Sequence, residues 1–272
     1  MQLGVNVPNF GPGTDPGVLR EWARTVEGLG FDLLMVSDHV AVTPDVAERY
    51  PEPFYEPFTT LSWLAGLTTR VRLGTTVLVL PYRHPLLVAR MAADLQLLSG
   101  GRLVLGVGVG WARQEFEALG VPFTARGRLT DECLAVLREA RGTGAAGGSA
   151  PVPIWVGGNS DAAIRRTVRF GDAWHPLRVT VPWLRSALAE HALPALAPRI
   201  ALRVTAGPVD GPERLAGVGS IEQIVDDLDQ LRRLGADTVV LDPYHGDPEE
   251  TRRSRTAWQA LTDVAAHWRK AP

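Results

Sequence analysis

Five short stretches hold residue types at spacings that can do chemistry. Ser37-Asp38-His39 follows the apolar run Asp32–Val36. A histidine titrates near neutral pH and can donate, accept or relay a proton. A carboxylate next to it in the chain diverges from it and does not readily orient it. The triplet therefore reads either as proton-handling machinery or as a helix-capping Asp38 beside an incidental His39. Gly74-Thr75-Thr76-Val77 places a glycine and two hydroxyls inside an otherwise apolar strand. That suggests a bulge or a close backbone approach, or simply β-branched strand residues.

The third stretch is Gly106-Val107-Gly108-Val109-Gly110-Trp111. Alternate residues of a strand share a face, so the three glycines bare one side of it. Either a flat ring lies there with Trp111 at its edge, or the barrel packs tightly. In the fourth, Gly157-Gly158-Asn159-Ser160 leads into a segment with Arg165 and Arg166. Free N–H groups at a helix N-terminus suit a phosphate, and Asn159 or Ser160 can cap the same helix. The fifth, Trp174-His175-Pro176, brings a second histidine, structural or functional on equal terms. Other chemistries lack their residues. No His-x-His follows the first strand, Val5-Asn6-Val7, so no metal site is expected. There is no GxSxG and no P-loop.

These stretches need a frame. Short Val- and Leu-rich runs alternate with amphipathic ones, as in strands covered on both faces. The strands expected are Leu3–Val7, Asp32–Val36, Val71–Val79, Leu103–Val109, Ile154–Gly157, Asp172–Trp174, Leu202–Ala206 and Thr238–Leu241. Helices are expected near 16–29, 59–69, 85–98, 127–140, 160–170, 181–191, 220–234 and 251–268. Eight such units predict a single-domain α/β fold over 1–272, a (β/α)8 TIM barrel, rather than a doubly wound open sheet. In such a barrel the active site lies just past the C-terminal strand ends, where the five stretches fall. Gly30, Gly171 and Gly235 are read as left-handed helix closures before strands. Residues 40–58 form a Pro-rich loop after the second strand, and 142–150 (GTGAAGGSA) a surface loop.

Of 272 residues, 45% are apolar and 21% charged, enough for a sizeable core. With 28 basic against 30 acidic residues and a net charge of −2, nothing in bulk draws the chain to nucleic acid or anionic membrane. Lys270 is the only lysine, so a phosphate-gripping cation would be an arginine. Cys133 is the single cysteine, and the N-terminus has neither a basic start nor a long apolar run. A reducing, cytoplasmic setting is the expectation, with no signal peptide or membrane span.

Several stretches resemble the luciferase-like monooxygenase superfamily, especially its branch that uses the deazaflavin coenzyme F420. They are GFDLLMVSDHV, RVRLGTTVLVLPYRHP, GRLVLGVGVGWARQEFEALGVPF, PIWVGGNSDAAIRRTVRFGDAWHP and GSIEQIVDDLDQLRRLGADTVVL, in order, over almost the whole chain. The resemblance implies an F420-dependent oxidoreductase, with an FMN-dependent monooxygenase as the alternative and a non-catalytic binding barrel as a third reading. The Ser-Asp-His triplet is what favours F420. Asp38 and His39 would lie beside the reactive ring, with His39 positioning substrate or moving a proton and Asp38 tuning the local field. Thr75, Thr76 and Val77 would form a bulge with a non-proline cis peptide behind the ring. Gly108, Gly110, Trp111 and His175 would flank it, and Gly157, Gly158, Asn159 and Ser160 would hold its phosphate. A small-molecule substrate and a homodimer are implied. Relatives that oxidise a sugar phosphate carry Trp and Glu where this chain has Thr43 and Trp111. Their acid–base pair is therefore expected to be missing.

Overall fold

The apolar runs become strands because helices cover them on the outside and side chains fill the barrel within. The computed structural model describes residues 1–142 and 150–268. Its eight barrel strands are β1 (Gln2–Asn6), β2 (Leu33–Val36), β3 (Arg72–Thr75), β4 (Leu103–Gly108), β5 (Ile154–Gly157), β6 (Ala173–His175), β7 (Arg199–Ala201) and β8 (Thr238–Asp242). All neighbouring pairs are parallel, and β1 pairs with both β2 and β8. Isolated bridges such as Leu177 to Arg199 draw β6 against β7 and nearly close the ring. This is the expected barrel.

The main helices are α1 (Pro16–Gly28), α2 (Pro57–Ala65), α3 (Pro85–Leu98), α4 (Arg113–Ala118), α5 (Arg126–Gly142), α6 (Asp161–Phe170), α7 (Val181–Glu190), α8 (Ile221–Arg233) and α9 (Ser254–Trp268), of which the short α4 lies at the C-terminal end of the barrel. Their starts follow local chemistry. Asp15 caps α1 through the Val18 N–H at 2.8 Å, with Pro16 in the first turn. Ser220 and Gln223 form a reciprocal capping box on α8. Helix α1 buries Leu19, Trp22, Ala23 and Val26, one helical stripe, against the sheet. Among the described residues, no helix is long and apolar enough to cross a membrane.

Inside the barrel, Leu33, Met35, Val104, Trp155, Ala173 and Val240 form an apolar lower layer. Toward the strand ends the filling turns polar, with Asn6, Thr75, His175, Arg199 and Asp242 all buried. Cys133, on α5, is buried and a free thiol. Burial pushes its pKa up to about 12.

Four expectations need correction. The seventh strand is Arg199–Ala201, not Leu202–Ala206; Arg203–Val204 instead pairs with Val218–Gly219 outside the barrel. The third strand stops at Thr75 and resumes at Leu78–Val79, on the other side of a cis Thr76–Val77 peptide. Gly30 and Gly235 close their helices at φ 73° and 87°, but Gly171 has φ −88°. Gly171 is there for space: a Cβ would sit 3.0 Å from Val156. Finally, residues 40–58 include a short helix, Pro44–Ala47. The segment 143–149, most of the expected surface loop, lies outside the described residues.

Candidate active site

A cavity of about 250 Å³ opens at the C-terminal ends of the strands. It gathers most of the residues singled out by sequence: Asp38, His39, Thr76, Val77, Gly108, Gly110, Trp111, Gly157, Gly158 and His175. Ser37, Tyr50, Val79, Val109, Leu177 and Arg199 complete its wall.

Strand β2 delivers Ser37, Asp38 and His39. Asn9 clamps the strand end, accepting from the Ser37 N–H and donating to the Ser37 carbonyl, both at 2.9 Å. Asp38 caps no helix. Its carboxylate takes both Arg83 Nη groups and the Val79 N–H, each at 2.8 Å, tying β2 to the chain beyond the β3 break. Burial drives the Asp38 carboxyl above its ordinary value, against the opposing pull of Arg83. Arg83 also reaches Glu56, at 3.0 Å.

His39 has a different partner, one that sequence reading missed. Its Nδ1 lies 2.6 Å from Oε2 of Glu115 on α4. That oxygen also accepts from the Tyr82 hydroxyl at 2.9 Å, and Oε1 accepts from the Val40 and Ala41 N–H groups at 2.6 and 3.1 Å. Glu115 is fully buried. Burial alone would raise its pKa, but the hydrogen bonds from His39, Val40 and Ala41 outweigh this and hold it below the usual carboxylate range. An ionised Glu115 accepts a hydrogen bond from Nδ1–H and leaves Nε2 as the free nitrogen of the ring. Aromatic rings enclose that imidazole: Tyr50, Phe54 and Trp111 have centroids 5.3, 5.4 and 5.7 Å away. The carboxylate absent at position 111 is thus supplied four residues later, behind the histidine rather than across the cavity from it.

On the opposite side, His175 is 2% exposed. Its Nδ1 donates to the Ala197 carbonyl, and its Nε2 accepts from the Thr76 hydroxyl at 2.9 Å. Burial lowers its pKa to about 4, so it is neutral at physiological pH.

The floor is Val77, set between bare backbone. A Cβ on Gly108 or Gly157 would stand 2.5 or 2.7 Å from the two Val77 methyl carbons. Those two glycines keep the floor low and flat, as a planar ring requires. The other two of the alternate series pack instead. A Cβ at Gly106 would meet the Thr75 carbonyl oxygen at 2.0 Å. Gly110 lies beyond β4 with φ 78°, where a Cβ would strike Val79 and Phe116.

Three expected site residues stay outside the cavity wall. The Thr75 hydroxyl turns inward to the Gly106 carbonyl at 2.6 Å. The Asn159 amide pairs with both backbone groups of Leu177. Ser160 caps α6 through the Ala163 N–H. Gly157 and Gly158 line the cavity; the Gly158 N–H donates to the His175 carbonyl at 3.4 Å, and the helix start that follows is the place suited to an anion. A second cavity, of about 390 Å³, lies between the ends of β7 and β8 and helix α9, and none of the expected residues line it. Among the described residues, no group of three or more His, Cys, Asp or Glu is placed to hold a metal.

Comparison with known proteins places this geometry. The family model described as luciferase-like monooxygenase matches residues 1–206. An uncharacterised protein of Mycobacterium tuberculosis is 34% identical over 182 residues, covering 56% of this chain and 62% of that protein. A phthiodiolone/phenolphthiodiolone dimycocerosates ketoreductase of the same species is 33% identical over 205 residues, 63% of this chain and 53% of the relative. The matches therefore span less than two thirds of those proteins' length. Among solved structures, an F420-dependent secondary alcohol dehydrogenase bound to an F420-acetone adduct superposes with TM-score 0.73 at 16% identity, covering 97% of this chain and 98% of the other. The oxygenating constituent of 3,6-diketocamphane monooxygenase of Pseudomonas putida, with FMN, gives 0.71 at 15%, covering 97% of each chain.

Proposed function

The chain belongs to the luciferase-like monooxygenase family, and from that premise we propose that it is an F420-dependent oxidoreductase, moving a hydride between the deazaflavin and a C=C, C=N or carbinol carbon of a small organic substrate. The observation that carries this reading is His39. Its imidazole lines the cavity with Nδ1 fixed by an anionic Glu115 and Nε2 free. Such a ring can hold a proton at Nε2 for a substrate oxygen or nitrogen, or take one from it. Bound F420 would supply or accept the hydride itself.

The residues present fit a tricyclic ring. Val77, Gly108 and Gly157 form a flat support, while His39 and Trp111 stand on another wall. The start of α6, reached through the Gly157-Gly158 turn, would take the cofactor phosphate through the backbone N–H groups of its first turn. The aromatic enclosure of His39 keeps water from the proton it handles. The ketoreductase among the relatives supports reduction of a carbonyl as the working direction.

A second reading, an FMN-dependent monooxygenase, is favoured by the FMN held in the diketocamphane monooxygenase fold. Side-by-side fluorescence titration of the protein with F420 and FMN separates the two. Saturable F420 binding, with FMN bound at least about tenfold more weakly, is the expected result. FMN binding alone would transfer the assignment to oxygen chemistry, and binding of neither would remove both.

A further inference from the structure

One buried charge beside the cavity has no part in proton transfer. Arg199, on β7, is 7% exposed and contributes to the cavity wall. Its Nε and Nη2 donate to Oδ2 of Asp242 at 2.9 and 2.7 Å. Its Nη1 donates to the Thr76 carbonyl at 2.7 Å and the Thr76 hydroxyl at 3.3 Å. The other Asp242 oxygen accepts from Asn6 Nδ2 at 2.9 Å and the Tyr244 N–H at 3.2 Å. Asp242 is 2% exposed and is not part of the cavity wall. The pair is therefore a fixed dipole, its guanidinium end at the cavity and its carboxylate end behind.

The neighbouring charges do not cancel that end from the cavity side. Asp38 is matched by its own Arg83, and His175 is neutral. A brace for Thr76 alone would not require ions, since burying two charges costs more than burying neutral hydrogen-bonding groups.

We propose that Arg199 tunes the redox group bound beside it, favouring the electron-rich form over the oxidised form. This rests on the reading that the cavity takes a deazaflavin or flavin ring. Uptake of a hydride, two electrons with one proton, makes any acceptor more negative by one charge. A cation fixed in a poorly polarisable interior favours that form, and one already held by Asp242 and Thr76 needs no rearrangement to do so. Because the same guanidinium anchors Thr76, it sets the position of the floor as well as its potential.

The test uses the full chain and two variants. R199M/D242N removes both charges together, so that no ion is left buried without its partner. D242N keeps Arg199 and strips the carboxylate behind it. The readout is the ratio of dissociation constants for oxidised and reduced F420, titrated anaerobically, with the same ratio for FMN and a thermal melt of each ligand-free protein. The double variant should lose about tenfold of the wild-type preference for the reduced form, equivalent to about 30 mV in a two-electron potential. D242N should shift the ratio the other way, by about threefold or more. If both variants weaken the two forms equally, or leave the ratio unchanged, Arg199 is only a brace and the tuning role is lost, while the cofactor reading stands. If wild-type protein binds neither cofactor, the cofactor reading fails first and takes this inference with it.

Discussion

His39 and His175 stand at the ends of barrel strands and line one cavity, yet the chain treats them in opposite ways. Loops and a short helix surround His39: Glu115 holds one nitrogen, and Tyr50, Phe54 and Trp111 pack around the ring while the other nitrogen stays free. Barrel strands and their direct extensions surround His175, and both of its nitrogens are committed, to Ala197 and Thr76. A carboxylate behind an imidazole fixes one nitrogen as the donor and leaves the other for chemistry. At His175 burial, with a guanidinium nearby, opposes a positive charge on the ring and outweighs the Ala197 carbonyl that would favour it. The difference separates a residue available for chemistry from one that holds the floor in place.

The largest effect that could break this contrast is at His39. His39→Ala should lower turnover by about 10²–10⁴-fold with cofactor affinity little changed, as measured by steady-state kinetics and a binding titration. Unchanged turnover would erase the distinction between the two histidines. Next comes Glu115→Gln, which keeps the shape but removes the anion that selects the Nδ1–H form. A fall of about 10–100-fold in kcat/KM is expected, with a shifted pH profile and an unaltered cofactor dissociation constant. Equal damage to binding and turnover would instead make Glu115 a strut for the loop at Val40.

The smallest effect sharpens the other side. The folded pKa of His175, about 4, lies below its ordinary 6.5. The unfolded chain therefore binds more protons between those values. The stability this group contributes is fully present above the ordinary pKa and is lost as pH falls toward the folded one. Wild-type protein should lose about 1 kcal/mol between about pH 7 and about pH 5.5 from this group. His175→Gln should remove that part of the slope in urea unfolding. An unaltered slope would mean that His175 titrates normally in the folded protein.

The barrel was legible because periodicity, glycine closures and strand-end polarity agree with one another. The floor was legible only in part. Gly108 and Gly157 serve a flat surface, while Gly106 serves packing, and an alternate-glycine pattern does not separate the two uses. Arg199 was hidden because a charged residue after Ala-Pro looks like loop, and the Asp242 that neutralises it lies 43 residues away. Glu115 was hidden for a related reason. Arg113-Gln114-Glu115 reads as a solvated helix start, and only the fold carries it beneath His39. A carboxylate in the first turn of a helix that follows a glycine-rich strand end is the signal that could have revealed it. The mis-set seventh strand has the same origin: Leu202–Ala206 reads as the strand although it carries Arg203, while Arg199, which belongs inside, reads as loop.

The buried thiol of Cys133 has a practical consequence. It is the single sulfhydryl of the chain, enclosed by the core and with its thiolate strongly disfavoured. A Trp111→Cys variant would then offer one accessible attachment point at a position 47% exposed and against His39. A dye or spin label fixed there would follow the filling of the mouth and the movement of its walls in solution, with the native sulfur left in place.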